Sequence, residues 1–362
     1  MLRTVLSFLI NFQLTIWACL VFSGYCQASS IHQAIILQYH HVSDTTPPST
    51  SVSPEKFIEH LALIDQLGFQ VLPLPIILQH IQQGSSFSRK TLGISFDDGY
   101  LSIYQQAFPE LKKRNLPFTI FVSPQAIDKQ HGNSLSWLQL QEMQKHGATI
   151  ANHSLNHDHL LARQNNEALS EWKTRITQNI NQAQLRLGSE LNTFEKLFAY
   201  PYGEFNHALQ SLLDEQGYIA FSQQSGPISS SSHLQALPRF PASGVYANLE
   251  TLSIKLKSLA FNIIKESPKS ELLLLGQPAP ELDLTLLAKD LNHQHLQCFY
   301  QGQRIFTQVT QQEDQLRVTA RHSSPLKEGR SRYNCTCPSL SQNRYYWYSM
   351  PFVVSNEQGE IK

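Results

Sequence analysis

Residues 91–99 read TLGISFDDG, a short and mostly apolar run followed by two carboxylates and a glycine. A run of this length, bounded by turn residues, is consistent with a strand buried in a parallel sheet. Two adjacent carboxylates at its end would repel each other unless a cation or a shared proton relieved them. An Asp-Gly turn with solvated acids gives the same letters. Both interpretations stay open on this segment alone.

Similar runs recur from residue 34 to about residue 240, and helical patterns separate them. The other runs are 34–39, 118–122, 148–151, 197–200 and 218–221. The first helix begins with Ser53 as N-cap and Pro54 at N1, and Gly68 ends it. Further helices are predicted over 101–114, 137–146, 167–187 and 207–216. Repeated strand–helix units predict an α/β fold, and a barrel would bury such strands on both faces.

The pattern changes near residue 268. Short segments separated by Gly, Asn, Asp and Ser clusters follow, at 297–300, 304–309, 316–320 and 345–354. This pattern is typical of a small β-domain. We therefore predict a first domain over residues 29–268 and a β-rich domain over residues 269–362.

Residues 1–28 have the features of an export signal: a positive charge at Arg3, an apolar stretch, and small residues before a cleavage point after Ala28. Asn11 and Gln13 interrupt the apolar stretch and leave it short of the roughly 20 residues that span a bilayer. We predict cleavage and a periplasmic or secreted protein. An uncut anchor or a lipid-modified cysteine is the alternative.

Three cysteines remain beyond this segment: Cys298, Cys335 and Cys337. In an oxidising compartment they predict one disulfide with one cysteine left over, and we favour Cys298–Cys335. Zinc binding by Cys335 and Cys337 is not expected, because one intervening residue is tighter than the usual ligand spacing.

The charge balance excludes one class of partner. Lysine plus arginine number 28 and aspartate plus glutamate number 28, so the formal net charge is zero. A nucleic-acid binder needs clustered positive charge, which this chain lacks. The 15 histidines point instead to metal or proton chemistry, since histidine is the commonest metal ligand and titrates near neutral pH.

Two of these histidines follow the run 148–151 directly, in Asn152-His-Ser-Leu-Asn-His157. Histidines four residues apart lie on one side of a helical turn and can reach one ion. A barrel would bring this segment and the paired aspartates to the same rim. One aspartate with two histidines leaves metal positions open for water and substrate, as in a catalytic site. A polar surface turn is the alternative.

Three motifs now stand in order: SFDDG at 95–99, HSLNH at 153–157 and YPYG at 200–203. Together they resemble the NodB-homology polysaccharide deacetylases, carbohydrate esterase family 4, over about residues 34–243. The resemblance implies a distorted (β/α) barrel, here followed by the small β-domain. It also implies a metal-dependent hydrolase that removes N-acetyl groups from N-acetylglucosamine-containing polysaccharide.

The resemblance further implies roles for individual residues. Asp97 is the general base. The metal ligands, with Zn²⁺ the expected metal, are Asp98, His153 and His157. Pro201 and Tyr202 match the motif whose backbone amide helps to hold the acetate oxyanion.

This sequence departs from the family pattern at two points. The usual late Leu-x-His motif is absent, but residues 39–42 read YHHV, as in variant exported poly-N-acetylglucosamine deacetylases. By that likeness His40 is the general acid and His41 the fallback, unless both are surface-loop histidines. Many relatives have an arginine at the position of Ala199 to orient the base. Arg239 is a candidate for that charge, or else a surface arginine.

Aromatic residues give two further hypotheses. Trp137 and Tyr202 could stack on a sugar ring, although a tryptophan at the position of Trp137 more often packs its own helix. The aromatic run 345–348, together with residues 329–336, resembles a tail of some bacterial members. Its rings fit either a glycan platform or a β-domain core.

Alternative functions remain open within and outside the enzymes. A peptidoglycan or O-acetyl xylan deacetylase would use the same site. A non-catalytic glycan-binding protein could retain the metal site, but it would not need both Asp97 and Asp98.

Overall fold

The computed structural model describes residues 31–267 and 272–361, and residues from 31 onward form one compact unit. The predicted export signal, residues 1–28, lies outside the described residues. Of the helices that are described, none is long and apolar enough to cross a bilayer.

A curled, mostly parallel sheet forms the first part of the fold. Its strands, with one separate pair, are β1 (Gln33–Tyr39), β2 (His41–Val42), β3 (Ser51–Val52), β4 (Gln70–Val71), β5 (Thr91–Phe96), β6 (Phe118–Val122), β7 (Ala148–Asn152), β8 (Leu197–Ala199), β9 (Ile219–Phe221), β10 (Ile228–Ser229) and β11 (Phe240–Pro241). The nine strands of the sheet are ordered β10-β1-β5-β6-β7-β8-β9, with β11 on β1 and β4 on β5, while β2 and β3 pair separately. This topology confirms the predicted α/β fold.

Helices connect these strands: α1 (Pro54–Gln66), α2 (Leu74–Gln83), α3 (Phe108–Lys113), α4 (Pro124–Asp128), α5 (Trp137–Gln144), α6 (Leu169–Leu191), α7 (His207–Glu215) and α8 (Leu249–Leu256). Helix α1 begins as predicted, because the Ser53 hydroxyl accepts a hydrogen bond from the Lys56 amide at 3.1 Å. Helix α2 was not predicted. The helix expected over 101–114 forms, and part of it is a π-helical turn, Ile103–Ala107, that leads into α3. Helix α6 continues past Gly188 and ends at the left-handed Asn192.

The side chains of β1 divide between two cores. Ile35 and Leu37 of β1 belong to the core beneath the helices, whereas Ala34 and Ile36 belong to a second core. Residues of β6, β7, β8 and β9 also contribute to that second core, so it lies on the concave face of the sheet. Gln38 continues the concave row toward the carboxyl ends of the strands, where polar side chains replace apolar ones.

Residues 237–241 bridge the two ends of the curled sheet. Leu237 pairs with Phe221 at the end of β9, and Phe240 pairs with Leu37 in β1. Arg239 lies between these two contacts and is fully buried. Residues 237–241, the closing segment of the barrel, therefore place the guanidinium group of Arg239 inside it.

The C-terminal part of the chain is β-rich, as predicted. Its strands are β12 (Leu259–Ala260), β13 (Ile263–Ser267), β14 (Leu272–Leu274), β15 (Leu282–Leu287), β16 (Gln297–Tyr300), β17 (Gln303–Arg304), β18 (Phe306–Gln312), β19 (Gln315–Arg321), β20 (Gly329–Pro338) and β21 (Tyr345–Ser355). One sheet has the order β12-β21-β20-β16-β17 with β14 on β21, and the other has the order β13-β15-β19-β18. Strands β12 and β13 precede residue 268 and already pair with these sheets, so the domain division at that residue stays a prediction.

A disulfide joins β16 to β20 within this region. Cys298 and Cys335 are direct cross-strand partners and are bonded to each other, while Cys337 is buried and free. Two residues of the aromatic run 345–348 pack against buried rings. Tyr346 packs on Phe261 with ring centroids 5.4 Å apart, and the Trp347 ring lies 5.6 Å from that of Phe240.

Candidate active site

Asp97 follows the carboxyl end of β5 and is bound on both oxygens by Arg239. The guanidinium donates to Oδ1 at 2.6 Å and to Oδ2 at 2.7 Å, and both side chains are fully buried. Gln38 Nε2 donates to Oδ2 at 2.6 Å. Arg239 is itself held by the Ser222 carbonyl at 3.0 Å and the Ser95 hydroxyl at 3.2 Å. The closing segment thus presents its arginine to the carboxylate that the sequence analysis named as the base.

This pairing determines the charge of Asp97. Burial raises the pKa of its carboxyl group, but the attraction of Arg239 and His153 outweighs burial, and the pKa is lowered overall. Asp97 is therefore an anion at neutral pH. Each carboxylate oxygen has two lone pairs. A carboxylate that accepts hydrogen bonds on some of them can therefore still take up a proton on another.

Asp98 faces His153 and His157 because the chain turns sharply at Asp98 and Gly99. Its φ is 70°, and that of Gly99 is also 70°, so two successive residues are left-handed. A Cβ atom at Gly99 would lie 2.8 Å from Cγ1 of Val122, which excludes larger residues at this position. Strand alternation alone would direct Asp98 away from Asp97; the left-handed turn redirects it.

Asp98 forms a three-residue cluster with His153 and His157. Its Oδ1 atom lies 3.2 Å from His153 Nε2 and 3.0 Å from His157 Nε2. The potential ligand atoms of all three residues lie within 4.8 Å of one another. Carboxylate oxygen and imidazole nitrogen are the ligands that zinc and similar divalent ions take in catalytic sites.

The hydrogen bonding of His153 tests whether a metal fits this cluster. His153 Nδ1 lies 2.7 Å from the Ala199 carbonyl, which can only accept, so Nδ1 carries the proton and Nε2 presents a lone pair to Asp98. Asp98 Oδ1 is buried and has no hydrogen-bond partner. Two lone pairs that face each other at 3.2 Å need a positive charge between them, either a proton or a metal ion. Burial lowers the pKa of His153, but Asp98 and Asp97 reverse this and raise it overall, so the cluster attracts positive charge.

The segment between the two histidines is not the helical turn that the sequence analysis assumed. Ser154 has a φ of 66° and His157 a φ of 59°, both left-handed. The Ser154 amide donates to Asn152 Oδ1 at 2.9 Å, and the His157 amide donates to Ser154 Oγ at 3.0 Å. Side-chain-capped turns therefore bring the two rings together, with centroids 4.8 Å apart. The helical basis of that prediction was wrong.

His40 and His41 follow β1 and differ in their surroundings. His41 is buried and stacks on Tyr100 with ring centroids 3.6 Å apart. Burial lowers the pKa of His40, and the charges of Asp97 and Asp98 partly oppose that effect. The charge of Asp98 also acts on His41, whose pKa burial lowers as well.

The third motif forms a single tight turn, Pro201–Gly203, with Tyr202 in a left-handed conformation at φ 59°. The Tyr202 ring stacks on His159, with centroids 4.0 Å apart and planes 8° from parallel. The same ring meets His157 nearly edge-on at 4.5 Å. A histidine therefore covers one face of Tyr202, and stacking of that residue on a sugar ring stays a prediction.

Comparison with known proteins agrees with this geometry. Residues 84–221 match the family model described as polysaccharide deacetylase. The chain therefore carries a polysaccharide deacetylase domain. It is therefore a hydrolase of the type that acts on acetylated polysaccharide.

Individual relatives match 56–58% of this deacetylase. A poly-β-1,6-N-acetyl-D-glucosamine N-deacetylase of Staphylococcus aureus (strain MRSA252) is 24% identical over 58% of the chain and 78% of its own length. YxkH of Bacillus subtilis, named for the same family, is 28% identical over 56% of the chain and 69% of its own length.

Solved structures show the same fold. IcaB from Ammonifex degensii has a TM-score of 0.55 at 22% identity, over 63% of this chain and 99% of that one. The deacetylase PplD of Streptococcus pyogenes, in complex with acetate, has a TM-score of 0.55 at 22% identity, over 62% of this chain and 97% of that one. More than a third of this deacetylase lies outside both likenesses.

Trp137 of the deacetylase makes its contacts away from Asp97 and the histidine cluster. Its indole N–H donates to Asp128 Oδ1 at 2.9 Å, and Arg186 Cζ lies 5.1 Å from its ring centroid. These partners belong to α4 and α6. A sugar-stacking role for Trp137 stays a prediction.

Three residues beside the cluster were missed in the sequence analysis. The Glu204 side chain is fully buried and lies 2.8 Å from His159 Nδ1 and 3.2 Å from Arg330 Nη1. Arg330 Cζ also lies 5.2 Å from the Tyr202 ring centroid. Arg330 comes from β20, 126 residues beyond Glu204, and no local sequence signal links the two.

Proposed function

We propose that this deacetylase removes N-acetyl groups from an N-acetylglucosamine-containing polysaccharide in a reaction that depends on a divalent metal, with Zn²⁺ the expected ion. One observation carries the proposal: an anionic, arginine-bound Asp97 adjoins a separate cluster of one carboxylate and two imidazoles. Two adjacent carboxylates with such different partners can perform different tasks, one as base and one as ligand. The names of the Staphylococcus aureus relatives favour a β-1,6-linked polymer as the first substrate to test.

The metal would be held by Asp98 Oδ1 and the Nε2 atoms of His153 and His157. Bound there, a divalent ion lowers the pKa of a water molecule toward about 7 and polarises the acetyl carbonyl. The Ala199 carbonyl keeps the His153 proton on Nδ1, so Nε2 stays available as a ligand.

Asp97 would accept the proton of the attacking water. Arg239 and Gln38 hold the carboxylate in one orientation and keep it ionised until that step. The backbone N–H of Tyr202 would donate to the oxyanion, since Pro201 before it has no N–H.

His40 would protonate the leaving amine. An amine leaves poorly without a proton, so the reaction needs a general acid opposite the base. Burial lowers the pKa of His40, which makes its protonated form the stronger donor. The charges of both Asp97 and Asp98 act on His40, whereas the ring of His41 is engaged by Tyr100, and this supports His40 in the role over His41.

The test is acetate release by the purified protein with Zn²⁺. Oligomers of β-1,6 and β-1,4 N-acetylglucosamine, peptidoglycan and acetylated xylan would be compared. We expect the β-1,6 oligomer to give the highest kcat/KM, and Asp97→Asn to abolish turnover while the metal stays bound. Asp128→Asn is the matched control and should behave like the parent protein. A higher kcat/KM on peptidoglycan or on acetylated xylan would identify that polymer as the substrate instead. Glycan binding without any acetate release would indicate a binding protein.

Residues 1–28 would be removed on export, giving a mature protein of a catalytic domain to about residue 268 and a β-rich domain beyond it. N-terminal sequencing of the exported protein should find Ser29 first. Recovery of the full chain in a membrane fraction would support an anchor instead.

A further inference from the structure

We propose that Arg330, on C-terminal strand β20, is a positioning residue for the metal cluster. It holds Glu204, and through Glu204 it holds the stacked pair of His159 and Tyr202 that packs against His157. The inference rests on the proposed metal site and assigns part of that site to the C-terminal β-region.

Strand β20 lies along the rim of the barrel with alternate residues facing it. Tyr333 and Cys335 point into the C-terminal core, where both are buried. Arg330 and Arg332 have the opposite parity and reach the barrel. Arg332 donates to the Gln223 carbonyl at 3.2 Å, just after β9. The two arginines therefore bind β20 to the loops that follow β8 and β9.

Glu204 links Arg330 to His159, which lies beside the proposed metal cluster. Its carboxylate is fully buried, with one oxygen toward His159 and the other toward Arg330. A buried carboxylate that loses its guanidinium partner must either protonate or draw its remaining partner closer. His159 is that remaining partner. Because His159 stacks on Tyr202 within 4.0 Å, a shift of one ring shifts the other.

Tyr202 in turn limits where His157 can point. Among the residues that the structure describes, none accepts a hydrogen bond from His157 Nδ1, unlike His153, whose Nδ1 is held by the Ala199 carbonyl. Metal-binding histidines normally depend on such a partner for their orientation. His157 is also the more exposed of the two rings, with 28% of its side chain accessible against 1% for His153. Outside the cluster itself, the edge contact with Tyr202 at 4.5 Å is thus the ring contact that orients His157 among the described residues.

The experiment measures Zn²⁺ affinity of the full chain by chelator competition, together with the visible spectrum of the Co²⁺-loaded protein. Arg330→Met should weaken Zn²⁺ binding up to about 10-fold and should alter the Co²⁺ spectrum; the loss lies at the low end of that for a direct partner of a ligand, because Arg330 acts through Glu204, His159 and Tyr202. Arg330→Lys, which restores a cation to Glu204, should recover most of the affinity. Arg317→Met is the matched control, since it removes an exposed ion pair with Asp283 in the other C-terminal sheet. It should stay within about twofold of the parent protein.

Several outcomes separate the two proposals. Parent protein that does not bind Zn²⁺ would overturn the proposed function. Parent protein that binds Zn²⁺, loses it in Asp98→Ala and keeps full affinity in Arg330→Met would overturn only the role of Arg330. Should Arg330→Met not fold, Tyr202→Leu decides the matter, because it removes the ring and leaves the Arg330–Glu204 pair. The same loss of affinity is expected there, and unchanged affinity refutes the inference.

Discussion

Replacing Arg239 by methionine should destabilise the barrel and disable Asp97 in a single step. The methionine fills much of the same space but removes the two hydrogen bonds to the carboxylate, at 2.6 and 2.7 Å. Asp97 would keep only the Gln38 amide, at 2.6 Å, in a fully buried position. The Ser222 carbonyl would lose its donor as well.

Removal of one partner from a buried ion pair costs about 3–5 kcal/mol, because the other charge stays buried and uncompensated. That loss is large against the roughly 5–15 kcal/mol that keeps a typical protein folded. Without Arg239, burial is opposed only by the weaker effects of His153 and His40, so the pKa of Asp97 rises. A protonated Asp97 cannot act as a base, so acetate release should fall together with stability.

Urea unfolding at pH 7 measures the stability change, and a second substitution separates the two effects. The double variant Asp97→Asn/Arg239→Met removes both charges, so it should regain at least about 2 kcal/mol relative to the sum of the single variants. It should remain inactive, because an amide is no base. Arg317→Met, at an exposed ion pair, should cost no more than about 1 kcal/mol. A cost below about 1 kcal/mol for Arg239→Met, or no recovery in the double variant, would refute the reasoning.

Three further predictions use the same assays. His40→Ala should slow acetate release about 10²- to 10⁴-fold with the metal still bound; if His41→Ala alone does so, the acid is His41. Asp98→Ala should lose bound metal, measured by elemental analysis, together with activity, and full acetate release from this variant would remove Asp98 from the ligand set. The paired change Cys298→Ala/Cys335→Ala should lower the free energy of urea unfolding by about 2–5 kcal/mol, and an unchanged midpoint would show that the cross-strand bond does not contribute to stability.

The parts of the site that sequence could predict are those encoded within one strand and the turn after it. Asp97 follows the apolar run of β5, and parallel strands place their carboxyl ends at one edge, so its location was predictable. His40 and His41 were also separable in principle, because His40 shares the parity of Gln38, whose side chain bonds Asp97. That alternation was a signal in the sequence that the resemblance alone did not use.

Backbone conformations that reverse the expected direction of a side chain were not predictable. Asp98 and His157 both adopt left-handed φ values, which a sequence pattern of period 2 or 3.6 does not encode. The same holds for contacts between distant segments. Arg330 meets Glu204 only because β20 crosses the rim, and neither residue has a neighbour in sequence that signals the contact.

Arg239 shows why a missing motif residue need not mean a missing function. The position that carries an arginine in many relatives is here Ala199, whose carbonyl accepts a hydrogen bond from His153, a proposed metal ligand. The guanidinium enters from the closing segment between β9 and β1 and still reaches both oxygens of Asp97. Inside a curled sheet, side chains from several strands converge on the same few ångströms at the carboxyl ends. The requirement is for a buried positive charge at Asp97, and the barrel allows more than one strand to supply it.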